Sequence, residues 1–264
     1  MLKTVWECVI VDEAHEVTTT ALGEDTVKAV FKEGSGTKLL SLSGTPFNIL
    51  TDYDENSIYT WDYIMEQESK SEWDKLHFGD HNPYDELPEL RIYTYSLGDI
   101  LKNSHYITFE DKAFNFHEFF RTFTGDFSVD YADMPQGTDI GDFVHEADVW
   151  SFLNLMTVED DNSQYPYSNE EYRSLFKHSL WIVPGVREAK ALKKLMLKHP
   201  VFGNGMFDIV NVAGSGDEEE KSEEALSKVK RAINKAKKND TYTITLYCGK
   251  LTTGVTTKEC TAVF

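Results

Sequence analysis

Two adjacent carboxylates, Asp12 and Glu13, directly follow a run of apolar residues near the start of the chain. Hydrolysis of a nucleoside triphosphate needs one carboxylate that holds Mg²⁺, usually through water, and another group that orients or deprotonates the attacking water. In this interpretation Asp12 holds the metal and Glu13 acts on the water. The alternative is an exposed acidic loop after a core strand, which two carboxylates alone would favour.

A second polar segment, Ser43-Gly44-Thr45-Pro46, follows the next apolar run of the sequence. Taken by itself, this segment is typical of an ordinary turn, with Gly and Pro in their usual places. Together with Asp12 and Glu13, it means that polar segments follow two consecutive apolar runs.

Neighbouring strands are needed to bring these polar segments together. Residues 5–11 (VWECVIV) are almost entirely apolar, which predicts a strand buried on both faces of a parallel sheet. A helix or irregular crossover is predicted over 20–31, and a second buried strand over 38–42 (KLLSL). Both predicted strands end in polar loops on one edge, where open α/β sheets bind ligands.

The rest of the chain contains an acidic segment and a second α/β region. Between Asp52 and Ser163 there are 26 acidic and 6 basic residues, whereas the remainder carries 19 acidic and 20 basic residues, so the net charge of −19 is concentrated there. The domain boundaries that we predict are 1–50, 51–170 and 171–264. The predicted elements are a strand at 91–97 (RIYTYSL), a short helix within 114–123, strands at 179–184, 207–213 and 242–248, helices at 186–199 and 224–238, and a last strand from 261.

Asp12-Glu13-Ala14-His15 resembles the Walker B tetrad of the DEAD/DEAH-box superfamily-two helicases, and Ser43-Gly44-Thr45 resembles their third motif. A third segment, residues 251–255 (LTTGV), resembles their fifth motif, although Thr256 stands where the family has an acidic residue. The resemblance implies an α/β fold of the P-loop NTPase type. Two tandem RecA-like parallel-sheet lobes are expected, the first one truncated, with the acidic, aromatic-rich segment inserted between them.

The resemblance also implies a role for each matched residue. Asp12 and Glu13 are the expected catalytic residues, and Asp12 is the expected ligand of Mg²⁺ bound with ATP. The other matched residues fall into a coupling group, His15, Ser43, Gly44 and Thr45, and a nucleic-acid-binding group, Thr252, Thr253 and Gly254.

Within the superfamily, the chain most resembles the motor subunits of type III or type I restriction enzymes, on strings such as GTPFN and LYCGKLTTGVT. That likeness implies a DNA-dependent ATPase whose partners are duplex DNA, ATP and a methyltransferase or specificity subunit. RNA is the alternative track, since these motifs contact the backbone and do not read bases.

The sequence contains no GxxxxGK[ST] phosphate-binding loop. We expect that loop upstream of Met1 and the sixth helicase motif beyond Phe264, so the chain is interpreted as a fragment that is inactive as an ATPase by itself. A different class of function stays open: a catalytically inactive helicase-fold scaffold that docks a partner through its acidic insertion.

Composition argues against several other classes of protein. The three cysteines, Cys8, Cys248 and Cys260, form no CxxC pair and no zinc-type cluster with histidine. No run approaches the roughly 20 apolar residues of a membrane span, and the first residues do not resemble a secretory signal. A cytoplasmic protein with no membrane partner is therefore expected.

Overall fold

The chain folds as two compact units, Met1–Ile92 and Tyr93–Phe264, both of mixed α/β structure with parallel sheets. The computed structural model describes residues 6–17, 21–30, 36–96, 98, 107–108, 113–126, 137–159, 163, 165–215, 218–219, 222–248 and 258–264. The boundary between the units falls inside the segment 51–170, for which the sequence predicts an insertion.

The first unit is built on two parallel strands, β1 (Cys8–Val11) and β2 (Lys38–Ser41), with Val11 opposite Ser41. Its helices are α1 (Ala14–Val17), α2 (Ala21–Val30) and α3 (Tyr63–Leu76), with single 3₁₀ turns at Pro46–Asn48, Leu50–Asp52 and Glu55–Ser57. Both predicted strands are therefore confirmed, and of the two alternatives predicted for 20–31, a helix or an irregular crossover, the structure has the helix.

The prediction that these two strands are buried on both faces is wrong. Ile10 is 62% exposed and Leu40 is 48% exposed, and every described residue of both strands is at least partly accessible. The reason is that the sheet has only two strands among the described residues, and no layer covers its faces there. An apolar run indicates a strand suited to burial, but the covering layer has to come from elsewhere.

The predicted strand at 91–97 is also wrong, because residues 91–96 have no regular secondary structure. The aromatic residues of this stretch make ring contacts instead. The ring of Tyr93 lies 5.7 Å from that of Phe176, and the ring of Tyr95 lies 5.8 Å from that of Tyr165. The alternating pattern reflects side-chain packing here rather than strand pairing.

The second unit is an α/β layer structure around a four-stranded parallel sheet. Its elements in chain order are β3 (Ile107–Thr108), β4 (Ala113–Phe114), α4 (Phe116–Phe119), α5 (Glu146–Met156), α6 (Glu170–Leu175), β5 (His178–Ile182), α7 (Val186–Lys198), β6 (Phe207–Asn211), β7 (Gly214–Ser215), β8 (Glu218–Glu219), α8 (Ser222–Asn239), β9 (Tyr242–Tyr247) and β10 (Ala262–Val263). The sheet order is β10-β5-β9-β6, and all three pairings are parallel. The helices and strands predicted from residue 179 onward, and the short helix within 114–123, are confirmed.

Both faces of this sheet are covered by apolar residues of the helices. The α7 side contains Trp181 and Ile244, and the α8 side contains Val212 and Tyr247. Helix α7 can do this because its apolar residues recur at helical spacing. Its buried residues are Ala189, Ala191, Leu192, Leu195 and Met196. Pro200 stands two residues after the end of the helix and prevents its continuation.

Aromatic residues of the acidic segment belong to the core of the second unit. Phe119 and Phe143 are at most 2% exposed and share one cluster with Trp181. Each such side chain contributes about 1.5–3 kcal/mol when removed from water. The aromatic content of this part of the acidic segment is thus explained by packing. None of the helices in the described ranges is long and apolar enough to cross a membrane.

Candidate nucleotide-hydrolysis site

The two polar segments singled out in the sequence lie side by side in the first unit. Parallel pairing of β1 with β2 places the carboxyl ends of both strands at one edge. Just beyond the strands, the amide of Leu42 donates to the carbonyl of Val11 over 2.8 Å, and the amide of Ala14 donates to the carbonyl of Leu42 over 2.9 Å. These bonds hold the two loops together.

A tight turn after β1 presents the two carboxylates. Glu13 has a φ of +49°, in the left-handed region that non-glycine residues rarely adopt. Such a conformation costs of order 1 kcal/mol and must be held by its surroundings. The next residue, Ala14, is only 1% exposed and anchors the turn, and the amide of Glu13 donates to Asp12 Oδ1 over 3.0 Å.

Both carboxylates are accessible to a ligand. Asp12 is exposed, and the side chain of Glu13 is 50% exposed. Among the described residues, no group of three or more His, Cys, Asp or Glu side chains is arranged to hold a metal ion. Mg²⁺ bound with a nucleotide typically takes one or two carboxylates, several waters and phosphate oxygens. One accessible aspartate at a strand end fits that kind of site.

The two motifs are joined by a hydrogen bond between side chains. The hydroxyl of Ser43 lies 2.8 Å from Nδ1 of His15, and the side chain of His15 is only 14% exposed. The amide of Thr45 donates to the same hydroxyl over 3.1 Å. Nδ1 of His15 also lies 3.4 Å from Oε2 of Glu13, which forms an ion pair when the imidazole is protonated. Ser43 is thus the centre of a short chain that reaches the carboxylate.

Of the remaining predicted site residues, one is described by the structure and three are not. Gly44 is exposed, and a Cβ added there would meet nothing within 4 Å, so packing does not require glycine at this position. Thr252, Thr253 and Gly254, which were predicted to contact nucleic acid, lie outside the described residues.

One supporting contact was not foreseen from the sequence. The hydroxyl of Tyr53 donates to the hydroxyl of Ser41 over 2.6 Å, which ties the segment after the second motif to the last residue of β2. Tyr53 belongs to no motif, and its contact depends on the path of the chain after residue 46. No local pattern in the sequence signals it.

Comparison with known proteins identifies one relative and no family. No protein-family model matches the chain. No solved structure matches it either. A protein of Mycoplasma pneumoniae, whose name proposes it as the C-terminus of a type II restriction enzyme and methyltransferase, is 28% identical to this chain over 260 residues. The alignment covers 96% of this chain and 35% of the relative, so the chain spans about a third of that protein's length.

Proposed function

We propose that this chain is part of the motor of an ATP-dependent DNA helicase or translocase of two RecA-like lobes that works in a restriction–modification system. The hydrogen bond between His15 and Ser43 carries the proposal, because it joins the two helicase-like motifs at one sheet edge. An acidic loop and a turn with unrelated roles would not need such a bond. The similarity to a restriction enzyme and methyltransferase supports the biological setting.

In this proposal the two carboxylates have different tasks. Asp12 holds Mg²⁺, which enters with ATP and neutralises the negative charge that develops on the phosphoryl oxygens. Its Oδ1 already accepts the amide of Glu13, which fixes the orientation of the carboxylate. Glu13, on the accessible side of the turn, orients and deprotonates the attacking water.

His15, Ser43 and Thr45 connect the hydrolysis site to the DNA track. Movement of the Ser43 loop changes the position of His15, and His15 lies within 3.4 Å of the Glu13 carboxylate. DNA that shifts this loop therefore alters the group that acts on water. Thr252, Thr253 and Gly254 contact the DNA backbone in the same proposal, where small side chains allow close approach to phosphate.

ATP hydrolysis by the gene product that contains this chain, with and without duplex DNA, tests the motor. We expect DNA-stimulated turnover that falls by about 10²–10⁴-fold in Glu13→Gln, the range for loss of a general base. Glu7→Gln is the matched control, because it makes the same chemical change at an exposed position just before the same strand. Its turnover should equal that of the unsubstituted protein.

The His15–Ser43 contact has its own test in a double-mutant cycle. If the two side chains act as one unit, His15→Ala, Ser43→Ala and the double variant should lower DNA stimulation by similar factors. Independent, multiplying effects would contradict the coupling role. Absence of ATP turnover from a folded gene product would contradict the proposed motor function and favour a scaffold that binds a partner. Stimulation of turnover by RNA but not by DNA would mean that the motor moves along RNA.

A further inference from the structure

A cleft of about 500 Å³ lies along the outer edge of β6 in the second unit. Among the described residues, β6 is the last strand of the sheet, and its residues Asp208–Asn211 line the cleft. The described lining also contains four cationic side chains, Lys193, Lys228, Arg231 and Lys235, and Asp208 is its one acidic residue.

The cations come from both helical layers of the unit. Lys193 belongs to α7 on one side of the sheet, and Lys228, Arg231 and Lys235 belong to α8 on the other. An anion in the cleft would therefore meet positive charge from two directions. Lys235 lies 3.0 Å from Asp208, but its own side chain is 68% exposed, so solvent weakens the pair and Lys235 can turn to a stronger anion.

The spacing on α8 suits a regular array of negative charges. Lys228, Arg231 and Lys235 follow one another at intervals of three and four residues, which places them on one helix face. They span about 10 Å at 1.5 Å per residue. One strand of duplex DNA presents a phosphate about every 3.4 Å along its axis, so this row faces about three phosphates.

The two helices that flank the cleft carry further cations. Together α7 and α8 contain 11 of the 26 Lys and Arg residues of the chain and three Glu residues, although Lys194 pairs with Asp142 and Lys237 pairs with Glu259. A nucleic acid presents phosphates at regular intervals, which matches the row on α8, whereas the carboxylates of a flexible acidic peptide have no fixed spacing. The chain is otherwise strongly acidic, so this concentration of cations is not explained by composition.

We propose that the β6 cleft is a contact site for the phosphate backbone of nucleic acid. The site deepens the proposed function, and rests on it in taking DNA as the ligand, but it needs neither Asp12 nor Glu13. Its contribution is electrostatic and independent of base sequence, since contacts of Lys and Arg with phosphates carry no base-sequence information.

Binding of a fluorescently labelled duplex to the chain, measured by anisotropy over a series of salt concentrations, tests the cleft. The variant combines Lys193→Gln, Lys228→Gln and Arg231→Gln. Loss of three phosphate contacts should lower the slope of log affinity against log salt by about 3 and the affinity at 0.1 M salt by on the order of 10²-fold. Arg231→Lys, which keeps the charge, should retain most of the binding.

A second triple variant controls for net charge. Lys38→Gln, Lys75→Gln and Arg91→Gln remove the same number of positive charges from exposed positions of the first unit. Circular dichroism spectra and melting curves of both variants verify folding. We expect the control to bind DNA with nearly the affinity and salt slope of the unsubstituted chain.

Four results would overturn the cleft as a nucleic-acid site. These are unchanged DNA affinity in the first variant, equal losses in both variants, binding of polyglutamate in preference to DNA, and no binding of DNA by the unsubstituted chain. None of these results bears on Glu13, because the motor is judged by ATP turnover; conversely, a gene product without turnover would leave the measured DNA contacts standing.

Discussion

The hydroxyl of Tyr167 tests how the core of the second unit is held together, because it is buried and has two partners. Tyr167 is 1% exposed, and its Oη lies 2.8 Å from the hydroxyl of Ser179 and accepts the indole N–H of Trp181 over 3.1 Å. Ser179 and Trp181 lie two residues apart on β5, and both are buried. Tyr167→Phe removes the hydroxyl and keeps the ring.

The cost follows from the groups that this change leaves behind. Two buried polar groups lose a partner, each at about 1–3 kcal/mol, so we expect the free energy of unfolding to fall by about 2–6 kcal/mol. For a unit of this size, that corresponds to a melting temperature lower by roughly 4–24 °C. The aromatic contacts of Tyr167 with Phe202 and Phe207 do not involve the hydroxyl and remain in the variant.

Tyr95→Phe is the matched comparison, and it is expected to cause no loss of stability. The Tyr95 hydroxyl is also buried, but it has no hydrogen-bond partner among the residues that the structure describes. Burial, followed by the neighbouring Tyr172 and Tyr93, raises the pKa of Tyr95 to about 12, so the group is neutral in any ordinary assay. Removing an unsatisfied hydroxyl should be neutral or stabilise the protein by up to about 1 kcal/mol.

Urea titrations followed by far-ultraviolet circular dichroism measure both variants beside the unsubstituted chain. The transition of interest is the one that includes the larger second unit, because the two units need not unfold together. Two results would refute this reasoning: a loss below about 0.5 kcal/mol for Tyr167→Phe, or an equal loss for Tyr95→Phe. Either result would mean that the contribution of a buried hydroxyl group to the stability of this unit does not depend on whether the group has hydrogen-bond partners.

Three further predictions concern the same unit. Burial lowers the pKa of His178 and of His199, so the folded state disfavours their protonation; urea titrations should show stability that is greatest above about pH 6.5 and falls as the pH drops below it. Leu192→Ala, at a fully buried position of α7, should cost about 2–5 kcal/mol by the same titration, whereas Leu197→Ala, at a 54% exposed position of that helix, should cost less than about 1 kcal/mol. Gly203→Ala should lower the melting temperature in a thermal scan, because its Cβ would meet a backbone carbonyl oxygen of Leu197; an unchanged melting temperature would show that this backbone yields easily.

The helices and strands of this protein were predictable where the local sequence pattern determines the structure. They were less predictable where contacts with distant segments of the chain determine it. Helix α7 follows from apolar residues at helical spacing, and the closeness of Asp12 to Ser43 follows from two consecutive strands of a parallel sheet. The exposure of Ile10 was not predictable, because it depends on what covers the strand. The strand prediction for the stretch 91–96 was wrong because aromatic residues at its alternate positions pack against other rings, which produces the same sequence pattern as a strand.

The uneven charge of the chain restricts where nucleic acid can approach it. With 26 acidic and 6 basic residues between Asp52 and Ser163, that segment repels phosphate, whereas α7 and α8 attract it. Both effects are screened within about 10 Å at 0.1 M salt, so they depend on ionic strength. A net charge of −19 is therefore compatible with a DNA-binding protein, provided that the contacts are confined to the cationic helices.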